Sequence, residues 1–196
     1  MKWIFFLLMT SYSDMKRLGI NVYNQKSVPI LHQTVEHIIP KSLFINRKHA
    51  NQWNNLISCD KYTNIIRSDY RLGDPLIYND LFLEYQESQN SSRQCLITVS
   101  PQKPYKLVVD STGHCSGVLD RIQRIFYPST QADMGLISRS IIEMLYKYPY
   151  LYNSLDRIVY HPQLLKNYYN KPKSELEIAR EEMFIENFEY PPPIDK

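Results

Sequence analysis

An α+β fold in a single domain is what this sequence predicts, and three observations lead there. The chain has 196 residues, 43 % of them hydrophobic and 22 % charged, enough to close one core without a disulfide lattice or a structural metal. Short runs of strand character alternate with stretches at helical spacing, and no repeat or low-complexity linker divides them. Glycine is scarce, 5 residues against 12 prolines, and neither a dinucleotide-binding nor a Walker-type glycine loop occurs, which excludes backbone-cradled phosphate chemistry. Cys59, Cys95 and Cys115 are odd in number and form no CxxC pair, so no disulfide framework is expected, although one bridge stays open.

The elements follow in order. Met1-Lys2, the apolar run 3–9 and Ser11-Tyr12-Ser13 have the order of a secretory signal, and the same run suits a buried first strand. Residues 1–13 leave both readings open, and with them the choice between a secreted and an intracellular protein. No other segment is apolar enough to span a membrane, so a soluble mature protein is expected. Residues 14–31 read as irregular chain. Residues 34–39 are strand-like and are stopped by Pro40. A loop over 41–51 carries Lys41, Arg47 and Lys48, and a short strand or turn follows over 53–57. Ser58 or Asp60 then caps a helix to about Arg71, with Asn64, Arg67, Ser68 and Arg71 sharing one face; Tyr62, Ile65, Ile66 and Leu72 are expected in the core. Residues 95–100 and 105–110 read as a β-hairpin around Pro101 and Pro104, and His114-Cys115 as loop. Met134, Ile137, Ile141, Leu145 and Tyr148 mark a helix closed by Pro149. A last helix opens on the capping pair Ser174 and Glu177, with Leu176, Ala179 and Met183 inward.

The net charge of +3 averages over opposites. Residues 41–71 hold six cationic side chains against two anionic, whereas residues 172–196 hold three against seven. The basic excess coincides with the polar helix face and fits a polyanionic partner. It also coincides with residues suited to phosphodiester hydrolysis, which needs an activated water and charge relief at phosphorus. Glu36-His37 supplies a carboxylate beside an imidazole, Asn64 an amide oxygen acceptable to Mg²⁺, and Arg67 a planar fork for phosphate. Adjacent residues of a regular strand point to opposite faces, so Glu36 and His37 can serve one centre only where the backbone twists or bulges. The spacing of His32, His49 and Cys59 fits no standard zinc site, and the tyrosines of 146–152 read as half-buried packing.

The order Glu36-His37-Ile-Ile-Pro40, Asn55-Leu56 and Asn64-x-x-Arg67 resembles the ββα-metal (His-Me finger, HNH-like) nucleases, and more narrowly the bacterial endonuclease I family. The likeness continues through Phe126-x-Pro128, Gly135 to Arg139, Met144, Tyr148, Pro172 and Glu177-x-x-Arg180, so that it spans residues 34–195. Asn54, Gln52 and Met134 depart from the His, Asp and Lys usual there. The resemblance implies a ββα-metal finger within a largely helical body over residues 14–196. It further implies His37 as general base, Glu36 and Asn64 as ligands of Mg²⁺ (with Mn²⁺ an alternative), and Arg67 as a phosphate contact. Asn55 would be structural, and Arg47, Lys48 and Arg71 would touch the backbone of DNA or RNA.

Two functions are therefore expected from different classes. One is a Mg²⁺-dependent, largely sequence-nonspecific endonuclease leaving 5′-phosphate ends. The other is a catalytically weakened nuclease fold kept as a structural component of a larger assembly such as a virion, an origin compatible with the richness in Asn, Ile and Tyr.

Overall fold

The computed structural model describes residues 15–90 and 105–188. Strands β1 (Ile20–Asn21) and β2 (Lys26–Ser27) form a short ribbon where irregular chain was expected. Strand β3 (Gln33–His37) pairs antiparallel with β4 (Leu56–Asp60), in unbroken register from Gln33 opposite Asp60 to His37 opposite Leu56. Between them lie 3-10 turns at Lys41–Leu43 and Trp53–Asn55 and the single-turn helix α1 (Arg47–Ala50), started by the Asn46 side chain on the Lys48 amide. Helix α2 (Lys61–Arg67) follows β4 without a loop and packs back on β3. Strand, strand and helix thus form one unit.

Local chemistry sets its boundaries. Pro40 has no N–H to extend the ladder of β3. Asp60 starts α2 by accepting from the amides of Tyr62 (2.9 Å) and Thr63 (3.1 Å). Ser68 ends it: at φ 49 and ψ −126 the backbone takes the first corner of a type II′ turn, a region that favours glycine, and the Tyr70 amide closes on the Arg67 carbonyl at 3.0 Å.

That early stop corrects the expected helix. Arg71 lies beyond the turn, on the next strand, so the four polar residues share no common face. The expected sidedness is corrected in part, since Ile66 packs against the core and Leu72 is buried as expected. Tyr62 and Ile65 are exposed, while Thr63 and Arg67 are buried, because the β3 edge that α2 covers offers polar backbone groups rather than an apolar surface.

A second sheet has the order β5-β8-β7-β6, from β5 (Arg71–Leu72), β6 (Tyr105–Val109), β7 (Cys115–Asp120) and β8 (Ile125–Pro128), with β5 parallel to β8 and the other pairs antiparallel. Of the hairpin expected around Pro101 and Pro104, residues 95–100 lie outside the described residues, as do residues 1–13. Among the described residues the partner of β6 is β7, joined by a turn in which Asp110 accepts from the amides of Thr112 and His114. Cys115 therefore opens a strand rather than sitting in a loop. After a 3-10 turn at Pro75–Tyr78 comes helix α3 (Asn79–Asn90).

The helical body comprises α4 (Met134–Lys147), α5 (Leu155–Ile158), α6 (Gln163–Tyr169) and α7 (Glu175–Phe188). Met134, Ile137, Ile141 and Leu145 are all buried along α4, as their spacing requires. Ser174 accepts from the Glu177 amide at the start of α7. The main apolar cluster runs from Val22 through Ile57 and Phe126 to Leu176, joining the strand–strand–helix unit, the second sheet and the helices. Buried polar bonds reinforce it: Asn21 on β1 and Thr63 on α2 both donate to the Ser116 hydroxyl of β7 at 2.8 Å. Cys59 and Cys115 are buried free thiols, and burial pushes Cys115 up to about 12. Among the described residues no helix is long and apolar enough to cross a membrane.

Candidate active site

His37 is the last residue of β3 and is half-buried. Its Nε2 lies 3.0 Å from Asn51 Oδ1. An amide oxygen only accepts, so this bond holds the proton on Nε2 and leaves Nδ1 as the basic atom. Burial lowers the imidazole's pKa below its usual value, with Lys41 acting in the same direction and the Asn51 hydrogen bond opposing. The ring is therefore neutral at physiological pH, the state a general base needs.

Asn55 organises the segment between the strands. Its Oδ1 accepts from the Ile39 amide (2.8 Å), and its Nδ2 donates to the carbonyls of Ile39 (3.1 Å) and Ala50 (2.9 Å). One fully buried amide thereby ties the stretch leaving β3 to the end of α1, next to Asn51. It touches backbone only, so its place is structural.

Glu36 and Arg67 sit elsewhere than a shared catalytic centre requires. The register of β3 with β4 is regular, so Glu36 and His37 leave the strand on opposite faces. Glu36 is 2 % exposed, and its Oε1 accepts from Arg67 Nη1 and from the Tyr23 hydroxyl. Arg67 is 1 % exposed, and its fork also donates to the carbonyls of His37 and Ile38, each at 2.9 Å. The expected phosphate contact is corrected accordingly: the guanidinium is spent inside the protein, on Glu36 and on the edge of β3. Asn64 does similar work one turn earlier. Its Nδ2 donates to the Val35 carbonyl at 3.1 Å, which fixes the amide plane and leaves Oδ1 as its ligand atom.

The edge needs this cover. Ser58, opposite Val35, turns its carbonyl away from β3 to accept from Val22, so the carbonyls of Val35 and His37 point away from β4. Asn64 and Arg67 satisfy them.

Mg²⁺ takes oxygen ligands in near-octahedral geometry and keeps several waters. An oxygen of Glu36 that is almost fully buried and paired with a guanidinium gives a hydrated cation no room, and among the described residues no three His, Cys, Asp or Glu side chains converge. As arranged, Glu36 is engaged by Arg67 and Asn64 Oδ1 is the expected ligand atom that stays free.

The remaining expected contacts are spread out. Arg47 and Lys48 are exposed on α1, four and three residues before Asn51. Arg71 is partly buried on β5, where its Nη1 and Nη2 donate to the carbonyls of Asp156 (3.2 Å) and Gln123 (3.0 Å). Downstream, Arg139 on α4 pairs with Glu177 on α7, and buried Arg180 donates to Ser140 Oγ and to the Trp53 carbonyl. Of these, Arg180 braces the segment between β3 and β4 from behind, through the Trp53 carbonyl. Two partners carried no signal in the sequence: Asn51, one polar loop residue among several, and Tyr23, in a stretch read as irregular.

No protein-family model, curated protein or solved structure matches this chain.

Proposed function

We propose that this protein is a nuclease of the ββα-metal type that hydrolyses phosphodiester bonds of DNA or RNA with His37 as general base. The observation that carries this reading is the held imidazole. His37 ends β3 in a contiguous strand–strand–helix unit, is kept neutral by burial, and is turned by Asn51 so that Nδ1 is free. In this reading Nδ1 takes a proton from water as it attacks phosphorus, and the resulting imidazolium is steadied by its Nε2–H bond to Asn51. Arg47 and Lys48, exposed on the same segment, supply sequence-independent attraction for the backbone. Mg²⁺ or Mn²⁺ is the cofactor implied by the resemblance; because Glu36 is engaged by Arg67, no step is routed through it.

The same ion pair favours the second reading, a nuclease-like fold kept as a structural component of an assembly, since it withdraws one candidate ligand and one candidate phosphate contact together. Plasmid nicking separates the two. Wild-type protein is expected to relax supercoiled DNA with Mg²⁺ or Mn²⁺ and to lose that activity on His37→Ala. Supercoiled DNA left intact by wild type under both cations would end the enzyme reading.

A further inference from the structure

Outside the His37 site, the described surface has a cleft of about 400 Å³ in which three arginines meet. They come from distant parts of the chain: Arg71 on β5, Arg124 just before β8, and Arg157 on α5. The topology makes them neighbours. Strand β5 pairs with β8 on one side, the Arg71 amide donating to the Arg124 carbonyl at 3.2 Å, and bridges Val159 just after α5 on the other.

Arg71 is held rigidly. Two carbonyls take its terminal nitrogens, its guanidinium lies 4.8 Å from the centre of the Tyr160 ring, and its Nε is buried without a partner. Arg124 stacks on Tyr70 and pairs with Asp69 at 2.5 Å. Arg157 is exposed and has no ion pair among the described residues. With Asp69 and Asp156 also lining it, the cleft keeps one positive charge in excess. Pro40 forms part of its wall and lies three residues after His37, so the cleft begins within ~11 Å of the candidate base measured along the chain.

We infer that this cleft is a second binding site for the phosphodiester backbone of a single-stranded polynucleotide, engaged through Arg157 and Arg124. The inference rests on the nuclease reading for the identity of the polymer, although the binding it describes needs no cleavage. A braced guanidinium flanked by two more, with Tyr160 and Tyr70 packed on two of them, matches backbone recognition rather than sequence reading.

The test is fluorescence anisotropy of the full chain with a labelled single-stranded oligonucleotide carrying non-hydrolysable linkages, measured across a salt series. Arg157→Gln is expected to weaken binding ~5-fold or more and to lower the salt slope by ~0.7, one contact's share on a single strand. Arg157→Lys keeps the slope, and Arg124→Gln with Arg157→Gln weakens binding further than either change alone. Lys106→Gln, on β6 at the opposite edge of the sheet, leaves affinity within ~2-fold.

An unchanged affinity and slope in Arg157→Gln would overturn the inference. So would displacement of the oligonucleotide by inorganic phosphate at equal phosphate concentration, which would mean an isolated-anion site. The nicking assay keeps the two readings apart. Absent nicking with Arg157-dependent binding sinks the enzyme and spares the cleft, whereas normal nicking with Arg157-independent binding sinks only the cleft.

Discussion

Arg67 and Glu36 form an ion pair inside the protein, their side chains 1 % and 3 % exposed, and the same guanidinium holds the carbonyls of His37 and Ile38. The pair spans 31 positions of sequence and locks α2 against the outer edge of β3. Breaking such a pair by removing one partner leaves a buried charge uncompensated. Arg67→Ala and Glu36→Ala are each expected to cost ~3–5 kcal/mol in urea unfolding. A surface arginine that gripped phosphate would cost within ~0.5 kcal/mol, and that smaller value would contradict the buried placement.

Asn55 offers a sharper probe of the segment between β3 and β4. Asn55→Ala removes three hydrogen bonds to backbone and strands the buried Ile39 amide, a loss of ~2–3 kcal/mol. Native-state hydrogen exchange at Ile39 should accelerate in the variant. Unchanged protection would mean that other contacts hold the segment.

Titration of His37 links the candidate site to stability. Its folded pKa lies below its unfolded value, so the unfolded chain binds the proton more readily. The contribution to stability is full above the unfolded pKa of ~6.5 and is lost as pH falls from there toward the folded pKa. His37→Gln should flatten that limb of the stability curve. Nicking should rise with pH through a midpoint below ~6.5; a midpoint at or above it would exclude His37 as the base.

Asp133 works in the opposite direction. Burial raises its carboxyl from 3.8 to about 6, Ser174 and Gln25 offsetting part of the effect. The folded protein favours the protonated acid, so the penalty is absent below the unfolded pKa, grows from about pH 4 and is complete above about pH 6. Asp133→Asn is expected to stabilise the protein by ~1–3 kcal/mol at neutral pH and by much less at low pH. Thermal melts at the two extremes check this, and an equal shift at both would refute it.

Ser68 carries a positive φ of 49 at the end of α2. Ser68→Gly should relieve that conformation and stabilise by ~1 kcal/mol, read from the urea midpoint at unchanged slope. A destabilised variant would show that Ser68 makes up for its backbone cost elsewhere.

Much of the local structure was legible in the residues. Pro40 marks the end of β3, Asp60, one of two candidate caps, the start of α2, and Ser174 the start of α7, because each acts on backbone groups only a few positions away. The apolar stripe of α4 reads directly as its buried face for the same reason. The inward side of helix α2 was legible only in part: Ile66 and Leu72 pack in the core as read, whereas Tyr62 and Ile65 look like core until one knows that the surface they would pack on is a polar strand edge. The pairing of Tyr105–Val109 with Cys115–Asp120 was not legible, since His114-Cys115 reads as loop and strand partners are chosen by fit as well as by turn chemistry.

What the sequence determined by itself is the α+β class, the main boundaries, and a set of side chains able to do acid–base and phosphate chemistry. What only the tertiary structure decided is which of them meet. Regular pairing of β3 with β4 sends Glu36 inward to Arg67 and His37 toward Asn51, and the junction of β5 with β8 and Val159 gathers Arg71, Arg124 and Arg157. Residue types fix what a side chain can do. Strand register and the burial of charge fix what it faces, and those depend on contacts between residues dozens of positions apart.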